Sequence, residues 1–476
     1  MNTLDQLRSG VLAGSQRLNL ACGLTEFPPE IFDLADTLET LDLSNNALNS
    51  LPADLPRLHK LRVLFCANNQ FTELPKVLGQ CEQLSMVGFK ANKIHLVPAN
   101  ALPKSLRWLI LTDNQISELP TELGQCTQLQ KLMLAGNQLQ RLPEELANCV
   151  NLELIRIAAN QLTSLPPWLL KLPRLAWLAY AGNPFCEAME TAALDHNPIA
   201  DIAWETLQIQ HKLGEGASGI IHHAKKISQY NQSVAVKLFK GALTSDGLPR
   251  SEIASSLHAG THPNLIGTHG KVNDHPDDLH ALVMTLVSPD FSNLAAPPSL
   301  ASCTRDIYPA NTRFTVDATL SIALSIASAA AHLHSRGVMH GDLYAHNILF
   351  NPTGEALLGD FGAASFIFNP NNSLGSNPSQ PPLVRGGAGS ALPLTTGSWR
   401  GLGSNEQTGL NENVAVSLQQ IEVLAFARLL EELIARTPAN EVTAKLQQLQ
   451  FHCAAPLPAA RPLFAEILQT LQAMST

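Results

Sequence analysis

The sequence predicts two consecutive folds: an α/β solenoid over the first half of the chain and a separately folded unit over the rest. Three observations carry that expectation. Between residues 15 and 186 the pattern LxxLxLxxNxLxxLP recurs from Leu38, Leu61, Leu84, Leu106, Leu129 and Leu152, at intervals of 23, 23, 22, 23 and 23 residues. A fixed period in that range marks stacked repeats. The period stops after Asn183, and 476 residues exceed what one hydrophobic core supports.

Each repeat explains its own residues. The leucines of LxL point inward from a short parallel strand, and Asn46, Asn69, Asn92, Asn114, Asn137 and Asn160 are placed to bond backbone groups where the chain turns. A degenerate copy around Leu18 and Leu20 precedes the run and another at Leu175 closes it, giving about eight coils. One coil cannot bury its leucines; stacking can. Cys81, Cys126 and Cys149 fall three residues before a repeat-starting leucine and read as small core residues.

These repeats resemble the leucine-rich repeat family. By the geometry that resemblance implies, Val63, Phe65, Met86, Trp108, Ile110, Met133, Leu154 and Trp177 line the concave face, with Lys131 and Arg156 among them. Apolar patches rich in Trp and Met mark interaction surfaces. A protein or peptide ligand on Phe65, Trp108, Met133 and Trp177 is therefore expected, with cover by the second domain as the alternative.

Composition limits the function classes. Hydrophobic residues make up 45% and charged residues 15%, which suits a folded, soluble chain, and a net charge of -9 gives no basic footprint for nucleic acid. MNTLDQLRSGVLAGSQRLNL lacks the pattern of a secretory leader, and ATLSIALSIASAAAHLH reads as a buried helix, so a cytoplasmic protein without a membrane span is expected. The eight cysteines form no CxxC pair, and neither the HxH of AHLHSRG nor the pair His222 and His223 shows a third metal ligand.

From Trp204 onward, motifs appear in a fixed order. LGEGASGIIHHA fits GxGxxG with Gly214, Gly216 and Gly219, followed by Ile221; such a turn lets backbone amides approach phosphate oxygens. Lys237 of VAVK follows Gly219 by eighteen residues, Glu252 stands ten residues before His262 of HPN, and ALVMTLV (281–287) reads as a strand. HGDLYAHNILF and LLGDFG then place Asn347 five residues, and Asp360 eighteen residues, after Asp342.

The ordered set resembles the eukaryotic-type protein kinase family from about residue 205 to 472, which implies a bilobal α+β protein kinase domain. The resemblance also implies roles. Gly214, Gly216, Gly219 and Ile221 would cover ATP, Lys237 would grip its phosphates, and Glu252 would orient Lys237. Met284 would back the adenine pocket, with Thr285 to Val287 supplying backbone bonds. Asp342 would accept or orient the substrate hydroxyl proton, and Asn347 and Asp360 would hold Mg²⁺. IEVLAFARLLEEL (421–433) resembles a core helix of that family, with Glu422 for its usual Asp. Arg461 of ARPLFAEILQTL would be the buried partner of an acid, for which Glu406 is the candidate. The domain boundaries that follow are 1–186 for the repeats, 187–204 for a capping or linker segment and 205–472 for the kinase domain.

Two departures stand out. Gly341 replaces the arginine that receives a phosphorylated activation segment, so that switch is expected to be absent (a non-RD type). Tyr344 replaces the lysine of serine/threonine kinases, and Ala345 and His346 stand where a tyrosine kinase keeps its arginine, which removes charge from the transferring group. Thr395, Thr396 and Ser398 are candidate phosphorylation sites. The function expected is an ATP- and Mg²⁺-dependent protein kinase, serine/threonine by preference, whose repeats recruit a protein substrate or regulator. The alternatives are a pseudokinase scaffold and a small-molecule phosphotransferase, which shares HGDxxxxN.

Overall fold

The computed structural model describes residues 2–195, 201–216, 218–227, 231–272, 274–367 and 404–475, with side chains from 413 onward in the last span. Glu406, Thr395, Thr396 and Ser398 therefore lie outside the described side chains.

After a short helix α1 (Leu4–Arg8), one strand per repeat builds a parallel sheet: β1 (Arg17–Asn19), β2 (Thr40–Asp42), β3 (Val63–Phe65), β4 (Met86–Gly88), β5 (Trp108–Ile110), β6 (Lys131–Met133), β7 (Leu154–Arg156) and β8 (Trp177–Ala179). The strands pair in sequence order and in register, so Leu41, Leu64, Val87, Leu109, Leu132, Ile155 and Leu178 stack inside. The asparagine ladder has a definite pattern of bonds. Asn69 Nδ2 donates to the Leu43 carbonyl at 2.9 Å while its Oδ1 accepts from the Leu48 amide at 2.9 Å, and the later asparagines repeat this through Asn183. Each asparagine thus ties two coils to the same turn. Cys81, Cys126 and Cys149 are buried, and burial pushes their thiols up to about 11, 11 and 12.

Helix α2 (Glu187–Asp195) caps the stack. The second unit opens with an antiparallel sheet of β9 (Leu207–Glu215), β10 (Gly219–Lys226), β11 (Gln232–Phe239), β12 (Thr268–Val272) and β13 (Ala281–Thr285), in the order β12-β13-β11-β10-β9. Helix α3 (Pro249–Ala259) lies between β11 and β12 in sequence. A mostly helical lobe follows. It holds β14 (Ser292–Asn293), α4 (Val316–Ser335), β15 (Val338–Met339), β16 (Ile348–Phe350), β17 (Ala356–Leu358), β18 (Ser365–Phe366), α5 (Ser404–Ile434), α6 (Glu441–Cys453) and α7 (Phe464–Gln472). Helix α4, long and apolar enough to cross a membrane by length and composition, buries Ile322, Ala323, Ile326, Ala330 and Leu333 in one core with Phe426 and Ile467.

The two units are packed together, and the concave face corrects one expectation. Trp177 is 2% exposed and belongs to the core of the second unit, so it is not open to an external ligand. Phe65, Trp108, Ile110 and Met133 remain half-buried; the Trp108 indole N–H donates to Met133 Sδ at 3.4 Å, beneath the Lys131 ammonium at 4.6 Å. Gly136 and Gly182, both with positive φ, sit where a Cβ would meet Leu243 and Leu248 of the second unit.

Candidate functional site

The glycine-rich turn joins β9 to β10. Gly214 pairs with Ile221, and the Gly216 amide donates to the Gly219 carbonyl at 2.9 Å. A Cβ at Gly214 or Gly216 would meet nothing within 4 Å, so the backbone there borders open space of the kind a triphosphate fills. Beneath the turn, Lys237 Nζ donates to Glu252 Oε1 at 2.5 Å and lies 3.4 Å from Asp360 Oδ1. Burial pulls the ammonium down, but Glu252 and Asp360 outweigh it and hold Lys237 above the ordinary lysine range. Lysine, orienting acid and candidate metal ligand therefore meet in one place.

Asp342 follows β15 on the loop that ends at β16. Its N–H donates to His340 Nδ1 at 3.3 Å, while His340 Nε2 reaches the Gly359 carbonyl at 2.8 Å, tying this loop to the one bearing Asp360. Asn347 Nδ2 donates to Asp342 Oδ2 at 2.8 Å and to its carbonyl at 2.9 Å, leaving Oδ1 without a hydrogen-bond partner among the described residues. That oxygen and the Asp360 carboxylate, 50% exposed, make an oxygen donor pair that fits a hard cation such as Mg²⁺. Glu422 on α5 accepts from the Gly341 amide at 2.7 Å and bonds His334 at 2.7 Å, anchoring the loop from below.

Met284 on β13 pairs with Ala235 and Thr268 and is half-buried. The Thr285 amide donates to the Gly267 carbonyl at 2.8 Å, which leaves its carbonyl as the group it could offer to adenine. Val287 lines a groove with Ile266, Leu286 and Leu357. Arg461 is buried as expected, but it donates to the backbone carbonyls of Ala455, Gln420 and Pro173 at 2.9, 3.0 and 2.7 Å, with no acid partner among the described side chains. Three carbonyls satisfy the guanidinium, and one belongs to the solenoid.

Sequence reasoning missed the solenoid's share of this site. Arg156 of β7 donates to Asp246 Oδ1 at 2.8 Å, to the Gly341 carbonyl at 3.1 Å and to Asp342 Oδ1. Trp177 lies flat on Tyr344, with ring centroids 4.1 Å apart and planes 6° apart, and its N–H donates to the Leu343 carbonyl at 3.1 Å. Tyr180 donates through its hydroxyl to the Phe366 carbonyl at 2.9 Å, and Glu153 bonds Thr304 and Arg305. Two clues were present. A lone arginine in an apolar column requires a buried acid, and a loop lacking its usual cations leaves an acid in want of one.

Comparisons with known proteins bear on the two units. A protein kinase domain model matches residues 207–379, and leucine rich repeat models match residues 36–88 and 104–162. The serine/threonine-protein kinase PITSLRE of Drosophila melanogaster is 26% identical over 162 residues, covering 34% of this chain and 16% of the relative. Cyclin-dependent kinase C-2 C of Arabidopsis thaliana is 28% identical over 202 residues, 41% and 28% of the two chains. Fibroblast growth factor receptor 2 of Dugesia japonica is 30% identical over 183 residues, 36% and 20%. The chain thus spans less than a third of the length of each of these relatives.

Proposed function

We propose that this chain, leucine-rich repeats over residues 36–162 followed by a protein kinase domain over residues 207–379, transfers the ATP γ-phosphate to protein hydroxyl groups, serine or threonine by preference. The observation that carries the reading is the joint placement of Lys237 with Glu252 at 2.5 Å, Asp360 at 3.4 Å, and Asn347 with Asp342 at 2.8 Å. MgATP supplies the phosphoryl group and part of its counter-charge. Lys237, held by Glu252, positions the phosphates, Asn347 and Asp360 would hold the metal, and Asp342, fixed by Asn347, takes the hydroxyl proton. The serine/threonine preference draws on the likeness to the serine/threonine-protein kinase PITSLRE and on Ala345 and His346 in place of the tyrosine kinase arginine.

The test is incubation of purified protein with radiolabelled ATP and Mg²⁺ beside Asp342→Ala and Lys237→Ala variants. Label on the wild type alone is expected. A wild type that takes up no label and passes none to generic acceptors leaves the scaffold reading, which the solenoid's cover of the catalytic loop favours. A protein ligand, if the repeats hold one, is left the half-buried stretch from Phe65 to Met133: Trp108→Glu is expected to abolish its capture and to leave autophosphorylation intact. The eight free cysteines suit the reducing cytoplasm we assign to it.

A further inference from the structure

We propose that Arg156 of the solenoid is the positioning cation of the transfer site, orienting Asp342 and standing in for the positive charge that Tyr344 removes from the catalytic loop. The inference rests on the kinase reading above. In that reaction the acceptor oxygen forms a bond to the γ-phosphorus, the bond to ADP breaks with its electron pair leaving on ADP, and the hydroxyl proton passes to Asp342. Asp342 gains a proton while negative charge gathers on the transferring group and on ADP, and Arg156, bonded to Asp342 Oδ1 and to the Gly341 carbonyl, holds the carboxylate in the orientation that receives the hydroxyl.

Four observations support the assignment. Arg156 is 2% exposed and Asp342 is 17% exposed, so the cation is buried while the acid keeps a path to substrate. A guanidinium is buried only where acceptors meet it, and Asp246, Gly341 and Asp342 do so with N–H groups still to spare. The catalytic loop is shaped to admit the solenoid strand. Gly341 has φ +74°, and a Cβ there would stand 2.6 Å from the Leu178 carbonyl and 2.5 Å from that of Ala363, so no arginine side chain fits. Tyr344, where a lysine is usual, instead forms the flat seat for Trp177. Both departures from the family pattern are therefore adaptations to a partner that brings its own cation. Finally, the contact leaves the rest of the machinery assembled, with Arg156 on one Asp342 oxygen and Asn347 on the other.

The test uses the full chain. Arg156→Gln should lower kcat on the order of 100-fold with KM for ATP changed less than about threefold. It should also erase any preference for MgATP over MgADP measured by calorimetry, a readout independent of turnover. Arg156→Lys should recover part of both, and Tyr344→Lys added to Arg156→Gln should recover part of kcat by returning the cation to the loop. A rise in kcat on Arg156→Gln would make Arg156 a lock and overturn the proposal, as would unchanged kcat and nucleotide preference. Should Arg156→Gln fail to fold, Arg156→Lys decides: a folded lysine variant as slow as Asp342→Ala overturns it. A wild type that binds MgATP yet transfers nothing sinks the kinase reading, whereas an active wild type whose Arg156→Gln variant is unimpaired sinks this proposal alone. A wild type that binds no nucleotide overturns both.

Discussion

Gly341 is constrained by both its backbone and its neighbours. Its left-handed backbone and the carbonyls packed on either side leave no volume for a side chain, so Gly341→Arg, which would restore the family's usual residue, has to displace β8. A loss of more than about 3 kcal/mol in chemical denaturation is expected; a variant as stable as the wild type would show that the solenoid does not sit on this loop. Trp177 allows the contact to be graded. Trp177→Ala should cost about 3 to 5 kcal/mol, whereas Trp177→Phe keeps an aromatic face on Tyr344 and loses only the bond to the Leu343 carbonyl, about 1 kcal/mol. Equal losses in the two variants would mean that the hydrogen bond, not the stacking, holds the interface.

At the scale of elements, α2 and α3 are the informative pair. Glu190 of α2 accepts from the Gly182 amide at 2.7 Å and from the Ser251 hydroxyl at 2.8 Å, so the cap of the solenoid grips the helix that carries Glu252. Glu190→Ala should destabilise the protein by about 1 to 3 kcal/mol and weaken MgATP binding in calorimetry; unchanged affinity would show that α3 holds its position without α2. Helix α5 offers a pH signature. Burial, aided by Asp306, pushes Glu432 up to about 7 from an ordinary 4.5, while Tyr308 donates to it at 3.1 Å. Between those values the native state binds more protons than the unfolded chain, so stability is greatest at the acid end and falls as pH rises through the window. Glu432 should contribute a drop on the order of 2 kcal/mol from pH 4.5 to 7, lost in Glu432→Gln, which leaves the slope that Glu252, also pushed up to about 7 by burial, adds in the same window.

At the scale of the molecule, the solenoid and the helical lobe share their buried cores, with Met339 and Leu418 among the solenoid leucines and Leu154 and Trp177 among the residues of the lobe, so calorimetry of the full chain should show these two parts unfolding in one transition; two well-separated ones would contradict the interface. Much of this was legible in the sequence. Leucine periodicity is local, and each asparagine bonds only to adjoining coils, so the repeats could be read from spacing alone. The set from Lys237 to Asp360 was legible because its chemistry fixes residue type and interval together. The docking was not, since Arg156 and Asp342 are 186 positions apart and no short pattern links them. Arg461 is a similar case: its burial followed from its motif, but its bond to the Pro173 carbonyl of the solenoid could not be read from that motif. One guanidinium also ties together pieces on either side of the candidate site. Arg156 holds Asp246, just ahead of α3 in the first lobe, and Gly341 and Asp342 in the second, so it works as a rivet through the mouth of the cleft. Separating those pieces breaks the rivet or bends the seventh coil, so under the kinase reading proposed above the stiffness of a stack of leucines would set how fast a spent nucleotide escapes.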